Sequence, residues 1–275
     1  MSILHSKGRA LDISQPVVMG ILNATPDSFY NKGRESDANG LLKSAEKMLK
    51  DGAAIIDIGG ASTKPGQDLV NTDEELQRVI PVITAIHNHF PDAWLSIDTY
   101  NSRVAKEAIH SGAAIVNDVS GGGFDSDMLH TVAGLQVPYI AMHMQGTPKD
   151  MQLNPVYDDV VTEVYQYLEK LCLECEEAGI TQVIIDPGFG FGKTVAHNFA
   201  LLRALHAFNT LGKPILAGLS RKSMICKALK VNPEHALNGT TALNMVALQQ
   251  GANILRVHDV KEAVEVVKLY RELVR

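Results

Sequence analysis

Val17-Val-Met-Gly-Ile-Leu22 is an apolar run that stops on a polar side chain, Asn23, and seven later runs stop in the same way. Residues 53–56 end at Asp57, 94–97 at Asp98, 113–116 at Asn117, 138–142 at His143 and 183–185 at Asp186. Residues 214–219 end at Ser220, followed by Arg221 and Lys222, and 254–255 end at Arg256, with His258 two places on. Helix-length segments separate each run from the next. A short, continuously apolar stretch bounded by polar residues fits a parallel strand covered by helices outside and by packed side chains inside. Eight of them alternating with helices predict an α/β protein, a (β/α)8 TIM barrel, whose strands all end on one rim. The polar residues that close the runs then form the wall of a site.

Length supports the same architecture. A chain of 275 residues suits a fold that takes roughly 250 and leaves little for a second domain, so residues 1–275 are expected to form a single domain. Composition, at 45% hydrophobic and 20% charged, is that of a globular protein able to build its core without covalent staples. A formal net charge of −6 argues against a nucleic-acid partner, because a phosphate backbone requires a basic face. Any anionic ligand must be held by local cations. There are three cysteines, and Cys172 and Cys175 lie in a helical segment with no second pair at zinc spacing, which favours free thiols over a metal site. The odd count and the absence of a leader-like N-terminus point to the cytoplasm, and no run approaches the roughly 20 residues of a membrane span.

The first sixteen residues suit a short cover, such as a hairpin, under the barrel. Helices are expected over 39–50, 72–89, 102–110, 127–133, 157–178, 197–205, 222–229, 233–249 and 260–273. Thr72 and Glu75 suggest a capping box, Asn101 a helix start, and Gly52, Gly112, Gly179 and Gly251 helix stops. Long connections follow the first, second and fifth strands, at 24–38, 59–71 and 144–156, all on the site's rim.

Asp98, Asn117 and Asp186 place two carboxylates and an amide deep in the cup, a set that suits a flat heterocycle bearing amino and ring N–H groups. A local alternative has Asp98 capping the next helix and Asp186 fixing the Pro187-Gly188 turn. Lys222, Arg256, His258 and Lys64 supply cations and donors on the other side, suited to phosphate or pyrophosphate, with Asn23 able to reach a bridging metal. Its alternative pairs Arg256 with Asp259 at the surface. Gly188-Phe-Gly-Phe-Gly-Lys-Thr194 misses a phosphate loop because Pro187 stands where glycine is required; its glycines let the chain pass close to a ligand, with Phe191 as a wall. Ser220 and Ser223 lack the elbow of a serine nucleophile and are expected to bond backbone.

Val18-Met-Gly-Ile-Leu-Asn-Ala-Thr-Pro-Asp-Ser-Phe29 closely resembles the dihydropteroate synthase family of folate biosynthesis. Asp57-Ile-Gly-Gly-Ala-Ser-Thr-Lys-Pro-Gly66, Ser96-Ile-Asp-Thr99, Asn117-Asp-Val-Ser120, Asp186-Pro-Gly-Phe-Gly-Phe-Gly-Lys193, Ser220-Arg-Lys-Ser223 and Arg256-Val-His-Asp259 resemble its other blocks in order. The resemblance implies a transferase that condenses 6-hydroxymethyl-7,8-dihydropterin pyrophosphate with 4-aminobenzoate, and a sulfonamide target. It further implies a pterin site of Asp98, Asn117, Met142, Asp186, Phe191 and Lys222, and a pyrophosphate site of Asn23, Thr63, Lys64, Arg256 and His258. Phe29, Thr63, Pro65, Lys222 and Ser223 would border 4-aminobenzoate, Asn23 would serve Mg2+, and Lys222, Arg256, His258 and Asn23 would carry the chemistry. A homodimer formed through helices near the chain's end is implied as well. Four positions depart from the family pattern: Tyr30-Asn31 replace a common Ser-Asp, Lys64 a common arginine and Ala61 a frequent glutamate. A pterin-binding methyltransferase domain, a Schiff-base aldolase using Lys222 and a non-catalytic pterin-binding protein are the competing readings.

Overall fold

The computed structural model describes residues 2–24, 34–61 and 70–274. Phe29, Thr63, Lys64 and Pro65, with Tyr30 and Asn31, lie outside them. The cover is an antiparallel hairpin of β1 (Ile3–Ser6) and β2 (Arg9–Asp12), in which Leu4 faces Leu11 across the ladder. Eight parallel strands follow: β3 (Val17–Asn23), β4 (Ile55–Gly59), β5 (Trp94–Asp98), β6 (Ile115–Asp118), β7 (Tyr139–Met142), β8 (Val183–Asp186), β9 (Leu216–Ala217) and β10 (Ile254–Val257). They pair in chain order from β3 to β8, β10 pairs with both β9 and β3, and a bridge from Ile185 to Ile215 joins the last gap. The result is the expected (β/α)8 barrel. β9 is shorter than the run 214–219 because Pro214 has no N–H to give; it contributes only its carbonyl, which accepts from Ile185 N at 2.9 Å.

The outer helices are α1 (Arg34–Lys50), α2 (Thr72–His89), α3 (Ser102–His110), α4 (Met128–Leu135), α5 (Val160–Ala178), α6 (Val195–Arg203), α7 (Ser223–Leu229), α8 (Leu237–Gln249) and α9 (Val260–Leu273). Three match the sequence expectation end to end. α5 begins three residues late because Asp159 caps it, accepting from Val161 N and Thr162 N at 2.9 and 3.0 Å. The expected Thr72–Glu75 capping box is not formed. Asn71 is the cap instead, accepting from Asp73 N at 2.9 Å, while Thr72 accepts from Asn101 Nδ2 and Glu75 turns into the interior. Gly179 ends α5 in the left-handed conformation at φ 92°, as a helix stop should. Both cysteines of α5 face the core, and burial pushes Cys172 up to about 11 and Cys175 up to about 12.

Strand alternation sorts the barrel interior into layers. Met19, Ile55, Trp94, Ile115, Ile140, Ile184, Leu216 and Ile254 form one buried apolar cluster with Leu4 and Ile13, so the hairpin plugs the bottom of the barrel. Side chains two residues further along a strand point to the same face. Two places above this plug stand Asp57, Ser96, Asn117, Met142, Asp186, Gly218 and Arg256, and two further up stand Asn23 and Asp98. Burying apolar area at roughly 25 cal/mol per Å2 stabilises the lower layer, whereas the polar layer above must satisfy its own hydrogen bonds.

Candidate active site

Arg256 crosses the mouth from β10 to reach the acids of β4 and β5. Its Nε donates to Asp57 Oδ2 at 2.6 Å and its Nη2 to Asp98 Oδ2 at 2.5 Å. Asp57 also accepts from Asn117 Nδ2 at 2.9 Å, which joins four strands in one network. This differs from the sequence expectation of a cationic ledge facing an acidic floor, because Arg256 sits within that floor. Two inward carboxylates on adjacent strands need a counter-charge, and β10 points its Arg256 into the same layer. The surface pair with Asp259 is made by Arg221 instead, in a bidentate contact at 2.7 and 2.9 Å. Asp57, fully buried, is the residue that sequence reasoning left out of the site. Its signal was present: it closes the second apolar run.

Charge here is dominated by the carboxylates. Burial of Asp98, with Asp57 and Glu75 nearby, outweighs the pull of Arg256 and raises its pKa to about 7. Burial alone disfavours the Arg256 cation, but Asp57 and Asp98 more than reverse this and hold it protonated. Nη1 of Arg256 makes no hydrogen bond among the described residues, so one edge of the guanidinium stays available to a ligand.

Asp186 supports both readings of its position. Its Oδ1 accepts from Gly188 N at 2.7 Å and so fixes the turn, and burial raises its pKa while Lys222 opposes the rise. Lys222, at the start of α7, donates to the Phe189 carbonyl and stands 4.8 Å from the centroid of the Phe191 ring. Burial lowers Lys222 to about 8, against the pull of Asp186. Phe191 and Met142 belong to an apolar shelf with Tyr100, Val119 and Phe124, and Ala61 packs there too. A cleft of about 630 Å3 runs outward past Phe191, Lys222 and Ser223 towards Met151 and Lys227. Asn23, by contrast, is exposed at the end of β3.

The glycine loop after β8 is held from below by Lys193, whose role was not legible in the sequence. Its Nζ lies 2.9 Å from each of the Gly188 carbonyl, the Phe191 carbonyl and His143 Nδ1 and 3.4 Å from the His143 carbonyl, while burial pushes its pKa well below the usual lysine value. Gly188 has φ 70°, and a Cβ there would stand 1.9 Å from the His143 carbonyl oxygen. Only glycine fits.

His258 stands at the rim beyond β10. Its backbone N–H donates to Ser220 Oγ at 3.1 Å, and that hydroxyl lies 3.0 Å from its ring Nδ1. Packing around the inner side of the ring and the nearby Arg256 cation push His258 down to about 4, although Asp259 pulls the other way. At neutral pH it is an uncharged imidazole.

With this geometry in place, comparison with known proteins is direct. The model of the pterin binding enzyme family matches residues 19–258. Dihydropteroate synthase of Escherichia coli K12 is 46% identical over 268 residues, covering 97% of this chain and 94% of that protein. The synthase of Haemophilus influenzae is 45% identical, with 98% of each chain covered. Among solved structures, a sulfonamide drug complex of Yersinia pestis dihydropteroate synthase superposes with a TM-score of 0.93 at 43% identity, covering 98% of both chains. The Xanthomonas albilineans enzyme in complex with 7,8-dihydropteroate gives 0.89 at 38% identity, again over 98% of both. The chain belongs to the pterin binding enzymes and, among them, to the dihydropteroate synthases.

Proposed function

We infer that this chain joins 6-hydroxymethyl-7,8-dihydropterin pyrophosphate to 4-aminobenzoate, forming 7,8-dihydropteroate and releasing pyrophosphate. The observation that carries this is the polar mouth of the barrel, where Asp57, Asp98, Asn117 and Asp186 share one opening with Arg256, Lys222 and His258. Asp98, Asn117 and Asp186 suit the N–H groups of the pterin, and Met142 and Phe191 suit its faces. The bond that breaks joins the pterin's exocyclic carbon to the diphosphate oxygen. The bond that forms joins that carbon to the arylamine nitrogen, which then gives up a proton. Because an arylamine is a modest nucleophile, charge develops on the leaving diphosphate before attack is complete. The free edge of Arg256 and the ring of His258 meet that charge, which is stabilisation where it appears in the transition state. Lys222 and Ser223 border the cleft that receives the arylamine, and Phe29, Thr63, Lys64 and Pro65 complete the proposed sites from outside the described residues.

Magnesium fits this chain only as a partner of the diphosphate. Among the described residues no cluster of three or more His, Cys, Asp or Glu side chains can hold a metal, and Asn23 offers one exposed hard oxygen. That suits an ion that keeps several waters and takes the rest of its shell from substrate phosphate. Bound there, it would neutralise charge on the departing group. We take the chain to act as one domain, as a homodimer and in the cytoplasm; no helix among the described residues is long and apolar enough to cross a membrane. Purified protein given the pterin diphosphate, 4-aminobenzoate and magnesium should yield dihydropteroate and pyrophosphate, with sulfonamides competing against 4-aminobenzoate. Binding of the diphosphate without any product would instead indicate a pterin-binding protein.

A further inference from the structure

The hydrogen-bond count at Ser220 determines which nitrogen of His258 carries the proton. Ser220 is buried, and its hydroxyl has one hydrogen to give. Its oxygen already accepts from the His258 backbone N–H at 3.1 Å, which can only be a donor. The remaining neighbour is His258 Nδ1 at 3.0 Å, and no other acceptor for the hydroxyl exists among the described residues. Had Nδ1 carried the proton, the hydroxyl oxygen would accept twice and its own hydrogen would have no partner among the described residues. The pairing is therefore Ser220 O–H donating to an unprotonated Nδ1.

We propose that Ser220 is a positioning residue that locks His258 as the Nε2–H tautomer, so that a neutral imidazole presents an N–H donor to the diphosphate at the barrel mouth. The diphosphate half of this statement rests on the function inferred above; the tautomer half rests on Ser220 alone. Nε2 makes no hydrogen bond among the described residues, and the ring is exposed on that rim. The charged groups acting on the ring are Arg256, Arg221 and Lys222 from the barrel side and Asp259 from the start of α9. Burial of the ring's inner side, followed by three cations against one carboxylate, disfavours a second ring proton, so the donor comes from the tautomer. With the opposite tautomer, Nε2 would turn a lone pair toward the diphosphate and repel it.

The test reads the tautomer directly, by long-range proton–nitrogen NMR of protein labelled with nitrogen-15 histidine, the ring being assigned from its loss in His258→Gln. Wild type should show a pyridine-type Nδ1 and a pyrrole-type Nε2 at pH 7, and inorganic pyrophosphate with magnesium should shift the Nε2–H resonance. Ser220→Ala should move the ring towards a tautomer mixture and lower kcat about tenfold, one hydrogen bond's worth, with the KM for 4-aminobenzoate unchanged. Ser220→Thr, which restores the hydroxyl, should recover the wild-type nitrogen pattern and most of kcat. A pyrrole-type Nδ1 in wild type overturns the proposal, as does an unaltered Nε2–H pattern in Ser220→Ala or an Nε2–H resonance indifferent to pyrophosphate. Because the nitrogen spectrum needs no turnover, a wild-type enzyme that formed no dihydropteroate would count against the proposed function and leave the assignment of the tautomer to be decided separately.

Discussion

Replacing Asp57 by asparagine removes one charge from the centre of the polar layer and leaves its shape almost unchanged. Asp57 is fully buried and accepts from Arg256 Nε at 2.6 Å and from Asn117 Nδ2 at 2.9 Å. Both donors already share Oδ2, so the amide oxygen can keep them while its NH2 takes the place of Oδ1, which has no partner among the described residues; what is lost is the charge. Breaking a buried ion pair by removing one partner costs about 3–5 kcal/mol, but Asp98 still engages Nη2, so about 3 kcal/mol is expected. For a chain of this size, that lowers Tm by about 6–8 °C, at roughly 2–4 °C per kcal/mol and towards the lower end of that range. The weakened anchor also lets the guanidinium drift from where charge appears, so kcat should fall by about ten- to hundredfold. Thermal unfolding by circular dichroism and a pyrophosphate-release assay measure the two effects. Adding Arg256→Met gives the control: with both charges of the pair removed, the double variant should be about 2 kcal/mol more stable than the sum of the single losses predicts. An Asp57→Asn protein with Tm within about 1 °C of wild type and full kcat would refute the clamp, and strict additivity would show that the two side chains do not act together.

Lys222, lowered to about 8 by burial, is charged below that pH and neutral above it, so the KM for 4-aminobenzoate should rise between pH 7 and 9. Lys222→Arg, which stays charged throughout, should lose that rise in a pH series. Asp98 has a folded pKa of about 7 against an ordinary 3.8, so the folded state holds its proton more tightly than the unfolded one. Its stabilising contribution is complete below about pH 3.8 and is lost as pH rises through 7, and the urea midpoint of Asp98→Asn should fall less than wild type's over that window. Gly188→Ala, whose Cβ would meet the His143 carbonyl oxygen at 1.9 Å in a left-handed backbone, should yield little soluble protein, whereas Gly134→Ala, with open space around it, should express normally.

Strand alternation explains how much of the site could be read from the chain. Each of Ile55, Ile115, Ile140, Ile184 and Ile254 lies in the apolar plug, and the residue two places on is Asp57, Asn117, Met142, Asp186 or Arg256. The eight runs, the period of two and the shared rim are local properties of the sequence, so the barrel and its polar layer are legible there. The partner of Arg256 is not, because Asp57 lies 199 positions away and the contact exists only once β10 has closed onto β3. Lys193 was hidden for a related reason: its Nζ is held by backbone carbonyls and by His143 beyond another strand, groups that leave no local sequence mark. Glu75 shows the limit of cap motifs. Its spacing from Thr72 fits a capping box, yet Asn71 caps the helix and places Glu75 one position too far round the turn, inside the protein.

The double pairing of Arg256 bears on how pyrophosphate leaves. A guanidinium with no counter-charge in a half-buried mouth would hold the product as firmly as the transition state, and uniform binding of that kind adds nothing to kcat. Asp57 and Asp98 offset that charge while leaving the Nη1 edge without a partner among the described residues, so a leaving group is met without being trapped. Above about pH 8, where Asp98 with its pKa of about 7 is ionised, Asp98→Asn separates these effects, since Nε stays anchored on Asp57 while one negative charge disappears. At an effective dielectric near 20, unit charges several ångströms apart interact by roughly 2 kcal/mol before solvent screening. Screening at the open mouth leaves about 1 kcal/mol, so the inhibition constant for pyrophosphate should fall about fivefold in the variant, and product inhibition should set in earlier in progress curves. An unchanged or higher inhibition constant would mean that Asp98 does not temper Arg256, and that its carboxylate serves the ring-binding side of the site alone.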